Sequence, residues 1–365
     1  MIRQLKRLTT QILAGANIAA VILMVAVGFS DRVNPVDHPV LACVGMTFPI
    51  VLLLNIAFLL LWLIFKWRMI WIPILGFILA YIPITIYAPL NIPQAQPDDA
   101  LKVISYNVCI YGGNFRYEQG FETVLDYLSK EKADIVCLQE DVDTWRKYVF
   151  NHYEKYYAYN DTIHFSEGMT TNGVGIHTRF PIISRQRIDY PSRANGSAAW
   201  LLKMDNGDTL MVINNHFEST HLSTEDRRMY SGMINGEVRG DTARKESRKL
   251  LATLAESAVI RAHGIDAVYQ FISQYANRYP ILLCGDFNDT PISYSRHRIA
   301  QQLTDCFVAT GRGLGLSYNQ HGFNFRIDNI FCSEEITPYN CKIDTKTDAS
   351  DHYPVVCWFK IDRKH

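Results

Sequence analysis

The chain of 365 residues carries no excess charge of either sign: 36 lysines and arginines stand against 36 aspartates and glutamates. The strongly basic footprint that grips duplex nucleic acid is therefore missing, although a local basic groove would not show in such a total. Cys-x-x-Cys pairs and regular Cys/His spacings are also absent, which removes the common zinc sites. Of eight cysteines, Cys137, Cys284, Cys332 and Cys357 lie in apolar, strand-like runs, where the thiol behaves as a small buried hydrophobe. Seven cysteines follow residue 95, an odd number that cannot all pair. One disulfide, such as Cys332–Cys341, is open in an oxidising compartment. Internal repeats and low-complexity tracts are lacking too, so repeat architectures do not apply.

What the chain has in excess is apolar sequence at its start. Gln11–Phe29, Val40–Phe65 and Met69–Ala88 each approach or exceed the ~20 residues that cross a bilayer as helix. A cleaved secretory signal would not be followed by two further apolar stretches. Pro49, Pro73 and Pro83 and the mid-span Asn17 and Asn55 are tolerable, because neighbouring helices satisfy freed polar groups. Arg3, Lys6 and Arg7 precede the first span, and Lys66 and Arg68 separate the second from the third. The first loop holds Arg32 against Asp31 and Asp37. The positive-inside rule then predicts a cytoplasmic N-terminus and places everything after residue 90 outside the cytoplasm, periplasmic or extracellular in a bacterium. Trp62, Trp67 and Trp71 flank the second loop as interfacial anchors would.

Pro89, Pro93 and Pro97 read as a stiff exit linker, which divides the chain into a membrane anchor, residues 1–95, and a remainder, residues 96–365. Six basic and two acidic residues fall in the anchor, leaving 30 against 34 beyond it. In the remainder, Lys102–Tyr106, Asp134–Gln139, Gly173–Thr178, Pro181–Ile188, Ala198–Met204, Thr209–Asn214, Ile281–Cys284, Phe325–Cys332, Tyr339–Ile343 and Val355–Lys360 read as strands. Phe121–Lys130 carries a helical stripe. Arg244–His263 and Gly264–Tyr279 read as two further helices. Many strands with a few helices between them predict an α/β architecture of packed sheets flanked by helices.

Polar residues recur at the ends of these apolar strands: Asn107, Glu140, His216, Asp286 with Asn288, Asp328, and Asp351 with His352. Each has a bland alternative as a turn or loop residue. Asp328 is hardest to dismiss, because a carboxylate between Ile327 and Ile330 needs a partner or a metal. In Gly285-Asp286-Phe287-Asn288-Asp289, carboxylate and amide oxygens at a strand end suit a hard cation and a phosphate.

In order and context these motifs resemble the endonuclease/exonuclease/phosphatase superfamily, the group of the DNase I-like enzymes. They stand as Ser105-Tyr106-Asn107, Asp134 to Glu140, Asn215-His216, Gly285-Asp286-Phe287-Asn288, Arg326-Ile327-Asp328 and Ser350-Asp351-His352. The resemblance runs from about Leu101 to Lys360 and does not include the apolar spans. It implies a four-layer α/β sandwich of two mixed sheets, with the site at one rim. It also implies a metal-dependent phosphoester hydrolase, of nuclease or phosphodiesterase type, that uses Mg²⁺, with Mn²⁺ as alternative. The substrate is then a nucleic acid or, as the alternative, a phospholipid head group or small phosphate ester. A catalytically silent binding module is the remaining reading.

By the same resemblance, Glu140 is the direct metal ligand, with Asp351, Asp286 or Asn107 completing or supporting the site. His352 is general base or phosphate-polarising imidazole, with Asp328 on its other nitrogen, and Asp286 orients the water or is itself the base. Asn107, His216 and Asn288 are expected to donate to phosphate oxygens. The Leu222–Tyr279 region looks longer than the family's usual connection. Tyr148–Tyr159 reads as core packing, a base-stacking surface or a membrane-facing patch. Arg193, Arg227, Arg228 and Arg239 are candidates for substrate phosphate or plain solvated residues.

Overall fold

Short apolar runs punctuated by turn residues fold as strands through residues 101–361 of the computed structural model. It describes residues 2–112, 120–142, 156–165, 172–220, 222–223, 225–226, 228–229, 232, 237, 239–320 and 323–361. One sheet holds β1 (Leu101–Asn107), β2 (Ile135–Gln139), β3 (Tyr159–His164), β4 (Gly173–Thr178), β13 (Ile336–Ile343) and β14 (Val355–Ile361), in the order β13-β14-β1-β2-β4-β3. The second holds β5 (Ile182–Ile188), β6 (Gly196–Lys203), β7 (Thr209–His216), β8 (Ile281–Asp286), β9 (Thr304–Asp305) and β12 (Asp328–Cys332), in the order β5-β6-β7-β8-β12-β9. A small hairpin joins β10 (Tyr318–Gln320) to β11 (Phe323–Phe325).

Each sheet is mixed, and each has a parallel pair at its centre: β1 with β2 and β7 with β8. Parallel neighbours need a crossover, and a helix supplies each one. Gly120–Glu131 lies between β1 and β2, and Gly240–Tyr275 between β7 and β8. Val103, Cys137, Trp200, Val212, Cys284 and Ile330 fill the space between the sheets. On the outer faces, Leu125 and Leu128 pack with Ile104 and Val136, and Ile265, Val268 and Ile272 pack with Ile213 and Leu283. These are the expected four layers.

The register sets the rim. Asn107 pairs with Gln139, His216 with Asp286, and Asp286 with Asp328. The carboxyl ends of β1, β2, β7 and β8 and the start of β12 therefore meet at one edge.

Three expectations change. Arg244–His263 and Gly264–Tyr279 form one continuous helix, Gly240–Tyr275. Gly264 does not break it. Its missing Cβ leaves room for the Tyr190 ring, which a Cβ would meet at 2.7 Å. The ambiguous aromatic stretch ends where an edge strand, Tyr159–His164, begins. Tyr157 is buried and Tyr156 exposed, while positions 148, 150 and 153 lie outside the described residues. All eight cysteines are free; Cys332 Sγ lies 3.6 Å from Cys306 Sγ, and not against Cys341.

At the amino end, two helical segments are long and apolar enough to cross a membrane, Arg3–Arg32 and Pro39–Phe65. The third expected span is a pair of helices, Trp67–Leu79 and Tyr81–Tyr87, bent by 67°. Pro83 has no N–H for the Leu79 carbonyl, and its ring crowds that carbonyl. The mid-span polar groups find partners: Trp62 Nε1 donates to Asn17 Oδ1 at 2.9 Å, and Asn55 Nδ2 to the Ala20 carbonyl at 3.0 Å.

The connector, residues 30–47, overlaps the end of the first segment and the start of the second, and it rests on the sandwich. Gly45 approaches so closely that a Cβ there would lie 2.0 Å from the Ile292 carbonyl oxygen. Ile292 itself is buried with Met24 and Phe48. Arg326, just before β12, donates from Nη2 to the Ile86 carbonyl at 2.5 Å and from Nη1 to the Leu314 carbonyl at 2.9 Å.

Candidate active site

β8 ends in Gly285-Asp286, where the strand must pass very close to its parallel neighbour. Gly285 has φ +146, and a Cβ on it would meet the Asn215 carbonyl oxygen at 2.1 Å, so only glycine fits. Asn288, at φ 51, turns the chain back so that its own N–H donates to Asp286 Oδ1 at 2.8 Å. Asparagine tolerates this left-handed conformation better than most residues. Its side-chain amide donates to the Phe217 carbonyl at 3.0 Å and to Asp286 Oδ2 at 3.2 Å. Asn288 thus holds Asp286 in place.

Asn107, at the end of β1, plays a similar part. Its Nδ2 donates to Asp286 Oδ2 at 3.1 Å and to Glu140 Oε1 at 3.2 Å, while its Oδ1 accepts from the Cys109 N–H at 3.0 Å. One amide therefore ties the two sheets together across the rim. Glu140 stands just past β2 at φ 55, a conformation costly for a residue with a Cβ and one that clusters at functional sites.

Two histidines flank Asp286 in different charge states. His216, at the end of β7, has Nε2 3.6 Å from Asp286 Oδ2 and 3.9 Å from Glu140 Oε1. Burial, with the nearby His352, pulls its pKa down to about 3, so the ring is neutral. Asn172 Nδ2 lies 3.3 Å from Nδ1 and donates there, which leaves the proton on Nε2.

His352 has Nδ1 2.8 Å from Asp328 Oδ2 and Nε2 3.8 Å from Asp286 Oδ2. Burial alone would lower its pKa, but Asp328 and Asp286 overcome that and hold it well above the ordinary value. Ser350 and Ser317 fix this pair: Ser350 Oγ accepts from the His352 N–H at 3.2 Å, and Ser317 Oγ accepts from the Asp328 N–H at 3.1 Å. The Tyr318 ring stands edge-on to His352 at 5.0 Å.

Asp286 itself is fully buried, and burial together with Asp328 pushes its carboxyl up to about 7. Glu140 is raised as well, by burial first and by Asp351 second. Its side chain keeps 27% of its exposure and, among the described residues, pairs with no lysine or arginine. Glu140 and Asp351 line the same cavity with oxygen donors. That donor set fits a hard divalent ion. Asp286, Asp328 and His352 also bring one donor atom each within 4.8 Å of one another.

The cavity measures about 190 Å³, and Glu140, His216, Asp286, Asn288, Asp351 and His352 all face it. Asn107 and Asp328 support it from behind. The chain's motifs thus converge as the sequence arranges them. Some participants carry no sequence signal. Asn172 reaches His216 only through folding, and it also donates to Asn195 Oδ1 at 2.8 Å. Arg193, Arg228 and Arg239 do not line the cavity, and Arg227 lies outside the described residues. The arginine that does is Arg261, whose Nη1 sits 3.0 Å from Asp289 Oδ2. Cys43 and Met46 of the connector also line it, hidden in the sequence because they read as part of a span.

Residues 104–352 match the sequence pattern of the endonuclease/exonuclease/phosphatase family. The chain belongs to that family. Its fold is that of a phosphoester hydrolase of nuclease or phosphatase type. Residues 10–87 match a separate pattern described as a domain of unknown function. None of the curated proteins matches the chain. Among solved structures, the human Nocturnin catalytic domain with bound sulfate is similar at 14% identity and a TM-score of 0.53, over 74% of this chain and 96% of that one. Family proteins from Bacteroides vulgatus (15% identity, TM-score 0.52, 73% and 100% covered) and Bacteroides thetaiotaomicron (16%, 0.52, 74% and 100%) share the fold.

Proposed function

We propose that this family hydrolase is a membrane-anchored, divalent-metal-dependent phosphoesterase, with Asp286 as general base and His352 as the cation that polarises the phosphate. The observation that carries this reading is the Asp328–His352–Asp286 line, with Glu140 joined to Asp286 through Asn107 and with Asp351 lining the same cavity. Hydrolysis of a phosphoester needs an attacking water, a neutralised phosphate and help for the departing oxygen. A carboxyl raised to about 7 sits where a general base is most effective near neutral pH. Asp286 Oδ2 takes the proton of the attacking water while its position is held by Asn107 and Asn288. Asp328 keeps His352 charged, so Nε2 faces the phosphate as a donor. His216, neutral and protonated on Nε2, adds a second donor as charge builds on the phosphate oxygens.

Glu140 and Asp351 would hold the metal, with Asp286 at the edge of its reach. Bound there, Mg²⁺ or Mn²⁺ supplies Lewis-acid stabilisation of phosphate charge and of the leaving oxygen. The atoms balance simply. The water oxygen bonds to phosphorus, one ester P–O bond breaks, and the departing oxygen ends with the proton that Asp286 or His352 relays.

Membrane anchoring is supported by the two long apolar helices and the bent pair. The connector at residues 30–47 and the exit at residues 86–91 both touch the sandwich, which favours three crossings over a re-entrant third segment. With the basic residues at 3, 6, 7, 66 and 68, the catalytic domain falls outside the cytoplasm.

The test uses the full chain in detergent or nanodiscs, with bis(p-nitrophenyl) phosphate and p-nitrophenyl phosphate as probes. Hydrolysis of at least one, dependent on Mg²⁺ or Mn²⁺ and abolished by chelator and by His352→Ala, is the expected result. Turnover indifferent to chelator and to that substitution would sink the reading.

A further inference from the structure

The cavity at the rim has two walls of opposite character. One carries Glu140, His216, Asp286, Asp351 and His352. The other carries Ala42, Cys43 and Met46 of the connector together with Leu222, Leu254 and Ala258. Cys43 and Met46 lie within Pro39–Phe65, the apolar segment long enough to cross the membrane. The short 3₁₀ turn Cys43–Thr47 runs straight into the helix Phe48–Phe65. The second wall thus belongs to the sandwich-facing end of an apolar segment long enough to cross a membrane, and the polar cluster faces the same cavity.

A polyanion finds little here. Among the described lining residues, Arg261 is the one lysine or arginine. Its charge is already committed, with Nη1 on Asp289 at 3.0 Å and Nε on the Glu218 carbonyl at 2.9 Å. Nucleic-acid binding draws first on phosphate neutralisation along the strand, and beyond the two histidines at the reacting centre the lining offers no uncommitted cation for it.

We infer that the substrate is a membrane lipid phosphoester, its phosphate at Asp286 and the two histidines and its apolar part along Met46 and Cys43 toward the bilayer. This rests on the phosphoesterase reading above and names its substrate class. The connector is then a specificity element: it presents the site to what the bilayer holds and covers it from soluble polymers. Gly45 keeps that element in place, because any larger residue collides with the Ile292 carbonyl.

The deciding experiment offers the full-length protein in nanodiscs, with Mg²⁺, four substrate sets. These are vesicles of dioleoyl phosphatidylglycerol, phosphatidylethanolamine, phosphatidic acid and a long-chain isoprenyl phosphate; their deacylated or short-chain counterparts; bis(p-nitrophenyl) phosphate; and a single-stranded oligodeoxynucleotide. At least one long-chain lipid should be cleaved with a kcat/KM about tenfold or more above its tail-less counterpart, the equivalent of one good apolar contact. Gly45→Leu should lower the ratio of lipid to bis(p-nitrophenyl) phosphate turnover by about tenfold. Met46→Asp should do the same, and it serves if the glycine variant does not fold. Turnover of the aryl ester without lipid cleavage, equal rates with and without tails, or preference for the oligonucleotide overturns the inference and leaves the phosphoesterase reading standing. Loss of turnover on every substrate overturns both.

Discussion

Arg326, two places before Asp328, donates to the carbonyl of Ile86 at 2.5 Å and so joins β12 to the last turn of the Tyr81–Tyr87 helix. Helix carboxyl ends leave carbonyls without partners, and a guanidinium satisfies them well. The same side chain reaches Leu314 and stacks 4.4 Å over the Phe307 ring. Arg326→Met leaves these buried carbonyls unpaired. A loss of about 2–5 kcal/mol is expected from two or three such groups, seen as a lower unfolding temperature in detergent. A variant as stable as the parent would show that this grip contributes nothing.

Asp328→Asn keeps the shape of the His352 contact but removes the charge that sustains the imidazolium. A fall in kcat of about 10²–10⁴ follows from losing a positioned proton-transfer group. The alkaline limb of the kcat profile should also move to lower pH, because the folded pKa of His352 drops. An unchanged profile would assign Asp328 a purely structural part.

Removing the metal should abolish turnover without unfolding the sandwich, whose core lies between the sheets and away from the rim. Glu140→Gln should weaken Mn²⁺ binding by at least ~10-fold, measurable by calorimetry or electron paramagnetic resonance. Wild-type affinity in that variant would transfer the metal to the Asp286, Asp328 and His352 trio.

Acid should destabilise the protein through His177. Buried in β4 with Nδ1 2.6 Å from Asn160 Oδ1, it has its pKa pulled down to about 4 by burial, against Asp141. The unfolded value is near 6.5. Between the two, the unfolded chain binds the extra proton, so stability rises with pH across that window. The full contribution, about 3 kcal/mol, is present above pH 6.5 and gone by about pH 4. Denaturation curves at several pH values should show a shallower slope for His177→Gln than for the parent; parallel slopes would refute the assignment.

Much of this site was legible before folding, for a physical reason. Strands that end in polar residues can bury apolar middles and still deliver Asn107, Glu140, His216, Asp286 and His352 to one edge, so order along the chain already implied convergence. The partners of those residues were less visible. Asn107 and Asn288 look like free donors in sequence, yet register and left-handed backbone turn their amides onto Asp286. The long helix Gly240–Tyr275 hid because a glycine in mid-helix reads as a break unless the packing ring is known. Cys43 and Met46 hid for the opposite reason, since apolar residues beside a span signal lipid and nothing else. Their place in the cavity depends on contacts across some 240 residues of chain.

The grip of the sandwich on the anchor has a last consequence. Residues 92–96 form the visible seam, where composition changes and the residues are exposed. Contacts do not respect it. Asn91 donates to the carbonyls of Val308 at 2.9 Å and Gly311 at 2.8 Å, Gly313 donates to the Pro89 carbonyl, and Arg326 holds Ile86. A protease that nicked the seam would cut one polypeptide into two that still travel together, and release of the sandwich from its apolar helices is not to be expected from this molecule.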